Sequence, residues 1–171
     1  ETSIQKNMQT ATKKSSAIVC SFPNVNPINT AETGISQGHY TDHYRFITNE
    51  TVPVEPAKGP KNLHLVCFNR IVGETEYVER LRAEGKQPCK NAPAYLLGLM
   101  AAVPEDKMPV ELRNKYIVAA EPDNKSSTFV AGFGFRCFLC VSRSGAYRGL
   151  LLCVGRKWLD NWAFLAEDLV P

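Results

Sequence analysis

No stretch of this chain approaches the ~20 consecutive apolar residues that a membrane-spanning helix requires, so no membrane partner is expected. Nothing in it repeats. It lacks a Gly-x-Ser-x-Gly elbow, a phosphate loop and a dinucleotide fingerprint, the sequence carriers of three large enzyme classes. Charge of one sign is also missing. Twenty Lys and Arg stand against 17 Asp and Glu, for a net +3. Dedicated nucleic-acid binders cluster basic residues more heavily, so charge alone neither selects nor excludes that partner. No cofactor is signalled.

What is present is an ordinary globular composition, 44% hydrophobic over 171 residues, enough for a sizeable core without covalent staples. Six cysteines (20, 67, 89, 137, 140 and 153) mostly sit inside apolar runs such as LHLVCF and GLLLCV. In that setting a thiol behaves as a small buried hydrophobe, which favours a reducing, cytoplasmic compartment over a disulfide framework.

Residues 1–36 are rich in Ser, Thr, Asn and Gln with one apolar island, Ala17–Phe22. They read as a polar N-terminal arm, partly extended or disordered, with at most one short strand. Residues 37–171 read as one compact domain. Tyr40, Tyr44 and Phe46 alternate over 39–47 and predict a strand. The Pro/Gly segment 52–60 is a linker, and 63–68 is a short buried strand. Helices are predicted over 74–84, with a Glu76–Arg80 pair and Gly85 as the stop, and over 92–102, with Asn91 as N-cap. A strand over 115–120 and a turn over 123–127 follow. Two apolar runs, 129–141 and 146–154, joined by Ser142-Arg143-Ser144-Gly145, predict a long C-terminal hairpin, and 163–170 a last strand. The fold class expected is α+β, a mostly antiparallel sheet with two short helices.

Several residues invite chemistry. Cys137-Phe-Leu-Cys140 has redox or zinc spacing, but on a strand residues three apart point to opposite faces, and no second pair follows. His39 and His43 share a face with Asp42 between them. On a strand they stand about 13 Å apart, too far for one metal ion, so no metal site is assigned. Cys89, between Pro88 and Lys90 near a helix start, is the cysteine best placed for a lowered pKa, with His64 or His43 as a conceivable base. Gly132 and Gly134 lead into a strand, the wrong context for phosphate binding.

The best binding candidate is the hairpin. Arg136, Arg143, Arg148, Arg156 and Lys157 fall on or beside it, interleaved with Tyr147, Trp158 and Trp162. Arginine and aromatic residues on a sheet face contact nucleic-acid backbones and stack bases, and they also anchor protein interfaces. Trp158 and Trp162, around an Asp160-Asn161 turn, are equally placed to close one end of the core.

Residues 61–166 resemble a group of small uncharacterised bacterial proteins, found especially in reduced-genome, episymbiotic lineages. The likeness lies in order and spacing: an apolar strand, Leu81-Arg82, Lys86-x-Pro88-x-x-Asn91-Ala92, Tyr95-Leu96-Leu97, then the hairpin, Trp158-Leu159 and Trp162. It implies one compact fold and no particular activity. The reading is a small non-catalytic binding module for a protein or nucleic acid, contacted through the hairpin face and the arm. The alternative is a hydrolase using Cys89 or the His39/His43 pair.

Overall fold

The computed structural model describes residues 17–122, 128–130, 135–155 and 157–171. Its elements are β1 (Ile18–Val25), α1 (Ala31–Gln37), β2 (Asp42–His43), β3 (Lys61–Cys67), α2 (Glu76–Ala83), β4 (Lys86–Pro88), α3 (Ala92–Ala102), β5 (Tyr116–Val118), β6 (Thr128–Val130), β7 (Phe135–Ser144), β8 (Tyr147–Cys153) and β9 (Trp162–Asp168). The fold is α+β. In space the strands run β1-β3-β9-β5-β7-β8-β2, with β4 added to β9 and β6 to β7. All pairings are antiparallel except β5 with β9 and β2 with β8. Among the described residues no helix is long and apolar enough to cross a membrane.

Both faces of the sheet carry a core, into which period-two alternation deals the side chains, except at β1, where Val19 and Ser21 are exposed on the α2 side. Phe22, Leu65, Leu165, Ile117, Val141 and Leu150 face α3 and α1. Val66, Phe164, Val118 and Cys140 face α2, where Tyr77, Leu81 and Trp158 meet them. Helix α3 is buried from Ala92 to Met100, with apolar residues all round because it lies beneath sheet, α1 and the 26–28 segment. Gly98 has a specific reason there: a Cβ would come within 1.8 Å of the Asn26 carbonyl oxygen.

Four expectations change. The arm does not end at residue 36: β1 pairs with β3 through most of its length, and α1 packs on α3, so 18–37 belong to the domain. Helix α1 is therefore a third helix, capped by the Thr30 hydroxyl accepting from the Thr33 N–H. The 39–47 strand shrinks to Asp42–His43, because His39 takes a left-handed φ of 57° and Asp42 accepts the His43 N–H. The first hairpin run is two strands, β6 and β7, that pair with each other. The turn over 123–127, together with Gly132 and Gly134, lies outside the described residues.

The hairpin itself forms, with Ser144 opposite Tyr147 and Gly145 at φ 58°, the left-handed conformation that two-residue hairpin turns of the mirror-image types require. Helix α2 carries the Glu76–Arg80 pair at 2.6 Å and stops at Gly85. Asn91 occupies the N-cap of α3 but sits left-handed and makes no side-chain cap. The Glu121 carboxylate takes that role, accepting from the Ala92 N–H at 3.1 Å.

Candidate functional site

Of the hairpin residues, Arg143 and Arg148 do not reach solvent. Both fall on the core face of the hairpin, 4% and 0% exposed, directly opposite one another across the strands. Glu105 is the carboxylate they share, and it offsets one of the two charges. Arg143 Nε lies 2.9 Å and Arg148 Nε 2.7 Å from its Oε1. Arg143 Nη2 also donates to Glu105 Oε2 at 3.1 Å. Backbone carbonyls take the other guanidinium donors: Leu112 and Lys115 for Arg143, and Gly38, Met100 and Val103 for Arg148. Burial pushes the Glu105 carboxyl up, but the two guanidinium partners outweigh it and hold the group below its ordinary value. These arginines bind together the hairpin, α3 and the loop around Glu105. They form no binding face.

Tyr147 is partly exposed, Lys157 is exposed, and Trp162 is half-buried against Tyr116 and Trp158. Arg136 pairs with Phe129 through the backbone of β7, and its side chain lies outside the described residues, as does Arg156. A single basic and aromatic surface is not assembled from the side chains described. Trp158 is in the core, at 2% exposure, with its indole N–H donated to the Glu74 carbonyl.

Cys89 is fully buried, and its thiol donates to the Lys90 carbonyl at 3.3 Å. Burial, ahead of any neighbouring charge, pushes its pKa far up, the reverse of an activated nucleophile. His64, on the other face of the sheet, is engaged elsewhere. His39 bonds the Ala101 carbonyl, and among the described residues no group of three His, Cys, Asp or Glu is arranged to hold a metal ion. None of the six cysteines is in a disulfide. Cys140 is buried in the α2-side core, and its hydrogen bond with Cys153, followed by burial, pushes its thiol up.

Two other places gather functional groups. The first arises from the topology of β9. Its first half pairs with β5 and its last three residues with β4, so two strands share one of its edges in succession. Where they part, a cleft of ≈ 310 Å³ opens beneath the C-terminal turns of α2. Arg82 of α2, Lys86 and Gln87 of β4, and Lys90 line it, over Val78 and Pro88. Neither Arg82 nor Lys90 makes an ion pair among the described residues, whereas Lys86 Nζ lies 3.4 Å from Asp168. Past Val78, Glu121 and Pro122 the surface continues into a ≈ 470 Å³ pocket against Tyr77 and Trp158, with Glu74 and Glu79 on its wall.

The second is a polar row on the α2 side of the sheet, running across β1, β3 and β9. Ser21 Oγ is 2.8 Å from His64 Nδ1, and His64 Nε2 is 2.9 Å from Asp168 Oδ1. Sequence reading did not find it, because the three residues are 43 and 104 positions apart and only strand register brings them together. Ser21 and His64 are direct cross-strand partners, and Asp168 lies two residues beyond Ala166, the partner of His64 on β9. His64 is nearly buried, while Ser21 is exposed and the Asp168 side chain is 65% exposed. Burial first, then the Lys86 ammonium, hold the imidazole below its ordinary value against the opposing pull of Asp168. Lys86 joins the row to the cleft.

No protein-family model, no curated protein and no solved structure matches this chain.

Proposed function

We propose that the protein is a small binding module that receives an acidic segment of a protein partner in the cleft between α2 and β4. The observation that carries this reading is the convergence of Arg82, Lys86 and Lys90 on one opening, at the point where the sheet divides. A concave opening with a few converging polar groups over apolar side chains is the usual form of a ligand site. The continuation toward Tyr77 and Trp158 offers an aromatic floor for an adjoining apolar side chain.

A protein fits better than a nucleic acid. Glu121 lines the cleft and Glu74 and Glu79 the adjoining pocket, so the basic surface is short: it suits a few acidic residues and lacks the continuous basic track a phosphate backbone needs. The hydrolase alternative is less well supported: Cys89 is sealed in the core, and His39 and His43 belong to separate local structures. Cysteines buried without a disulfide support a reducing compartment, hence the cytoplasm.

Fluorescence anisotropy with a labelled oligo-glutamate peptide and a labelled single-stranded oligonucleotide of matching charge, both at low salt, tests this. The peptide binds, and Arg82→Glu with Lys90→Glu abolishes that binding without changing the melting temperature. Binding of the oligonucleotide in preference to the peptide, or indifference to the charge reversal, overturns the reading.

A further inference from the structure

We propose that Ser21 is a nucleophile, activated by His64 and positioned through Asp168, that accepts acyl groups from esters presented at the open face of the sheet. This adds an activity at the polar row and does not depend on the binding cleft.

Nucleophile, base and orienting carboxylate stand in relay at hydrogen-bond distances, 2.8 Å and 2.9 Å, on three adjacent strands. Strands fix such a constellation better than loops do. With Asp168 accepting from Nε2–H, the lone pair of the neutral imidazole lies on Nδ1 and points at the Ser21 hydroxyl. That is the tautomer a general base requires. The forces that hold the imidazole below its ordinary value keep it neutral near pH 7. Ser21 is exposed, so an ester can reach it, while His64 beneath is shielded from water.

Backbone donors are also at hand. Among the described residues β1 has a strand neighbour on one side only, β3. Alternate N–H groups of an edge strand face outward. Either the N–H of Ser21 or those of Cys20 and Phe22 therefore point to the open edge, where they are free of a strand partner among the described residues.

The step balances without a co-reactant. Ser21 Oγ bonds to the ester carbonyl carbon while its proton passes to His64 Nδ1. The bond from carbonyl carbon to the alcohol oxygen then breaks, and that oxygen takes the proton from His64. Water repeats the sequence on the acyl-serine, releasing the acid and restoring Ser21. The open setting suits acyl groups approaching from solvent, with little selection for size.

The probe is 4-nitrophenyl acetate, with nitrophenol release followed by absorbance and the acetylated position found by peptide mass mapping. The wild-type chain carries acetyl on Ser21, and its rate rises with pH as His64 loses its proton. Ser21→Ala and His64→Gln are each slower by about a hundredfold. Asp168→Asn lowers the plateau and moves the rise to lower pH, because Asp168 stabilises the imidazolium. A purely structural role for Asp168 leaves the midpoint in place. Ser21→Ala removes an exposed hydroxyl and keeps the fold, which circular dichroism verifies. Acetyl confined to lysines, an unmodified Ser21, or a Ser21→Ala variant as fast as wild type overturns the proposal.

Discussion

Arg143 and Arg148 lie directly opposite one another across the hairpin, and the single carboxylate of Glu105 stands between their guanidinium groups. Two buried like charges this close are tolerated only because one acceptor and five backbone carbonyls take up their donors. Glu105→Gln removes the counter-charge and leaves both arginines buried. The expected loss is about 3–5 kcal/mol in urea denaturation. The carboxyl is held below its ordinary value in the folded state, so its contribution is present at neutral pH and lost as pH falls through the carboxylate range. That part of the acid sensitivity disappears in Glu105→Gln.

Trp158 meets Tyr77, Trp162 and Phe164 ring to ring, and the backbone bridge between Val72 and Trp158 ties its loop to the start of α2. Trp158→Ala empties the centre of the α2-side core at a cost of about 3–5 kcal/mol. The melting temperature reports it. An unchanged value contradicts this packing.

Gly98 is required by proximity. Ala at this position pushes α3 away from the 26–28 segment, losing about 1–3 kcal/mol. Gly73→Ala, whose Cβ meets only Glu76 atoms at 3.5 Å, serves as the neutral comparison in the same chemical denaturation series.

His64 makes stability depend on pH in a definite direction. Its folded-state value is lowered, so the unfolded chain takes up the proton first as pH falls. Stability therefore declines below neutrality, through the ordinary histidine value of 6.5. Thermal melts between neutral and mildly acid pH should show a slope that His64→Gln reduces. An equal slope in both proteins excludes this contribution.

Much of the fold was legible because it is written in local periodicity. Helices α2 and α3, the Gly85 stop, the β7–β8 hairpin and the Asp160-Asn161 turn each depend on residues close in sequence. Helix α1 was not legible, since seven residues rich in Ser, Thr and Gly carry little pattern and owe their helicity to packing on α3. The hairpin arginines misled for a related reason. Arginine in an alternating strand signals a solvated face unless a carboxylate arrives from elsewhere, and Glu105 comes from about 40 residues away. Ser21, His64 and Asp168 are individually unremarkable and become a constellation only through β1–β3–β9 register.

The most direct measurement of the central claim is an amide chemical-shift titration of the full chain with unlabelled oligo-glutamate peptide. The account predicts perturbations centred on Val78, Arg82 and the segment from Lys86 to Lys90, the walls of the cleft where β4 and β5 part. Perturbations centred instead on Tyr147 and Lys157, with the cleft unchanged, would contradict it.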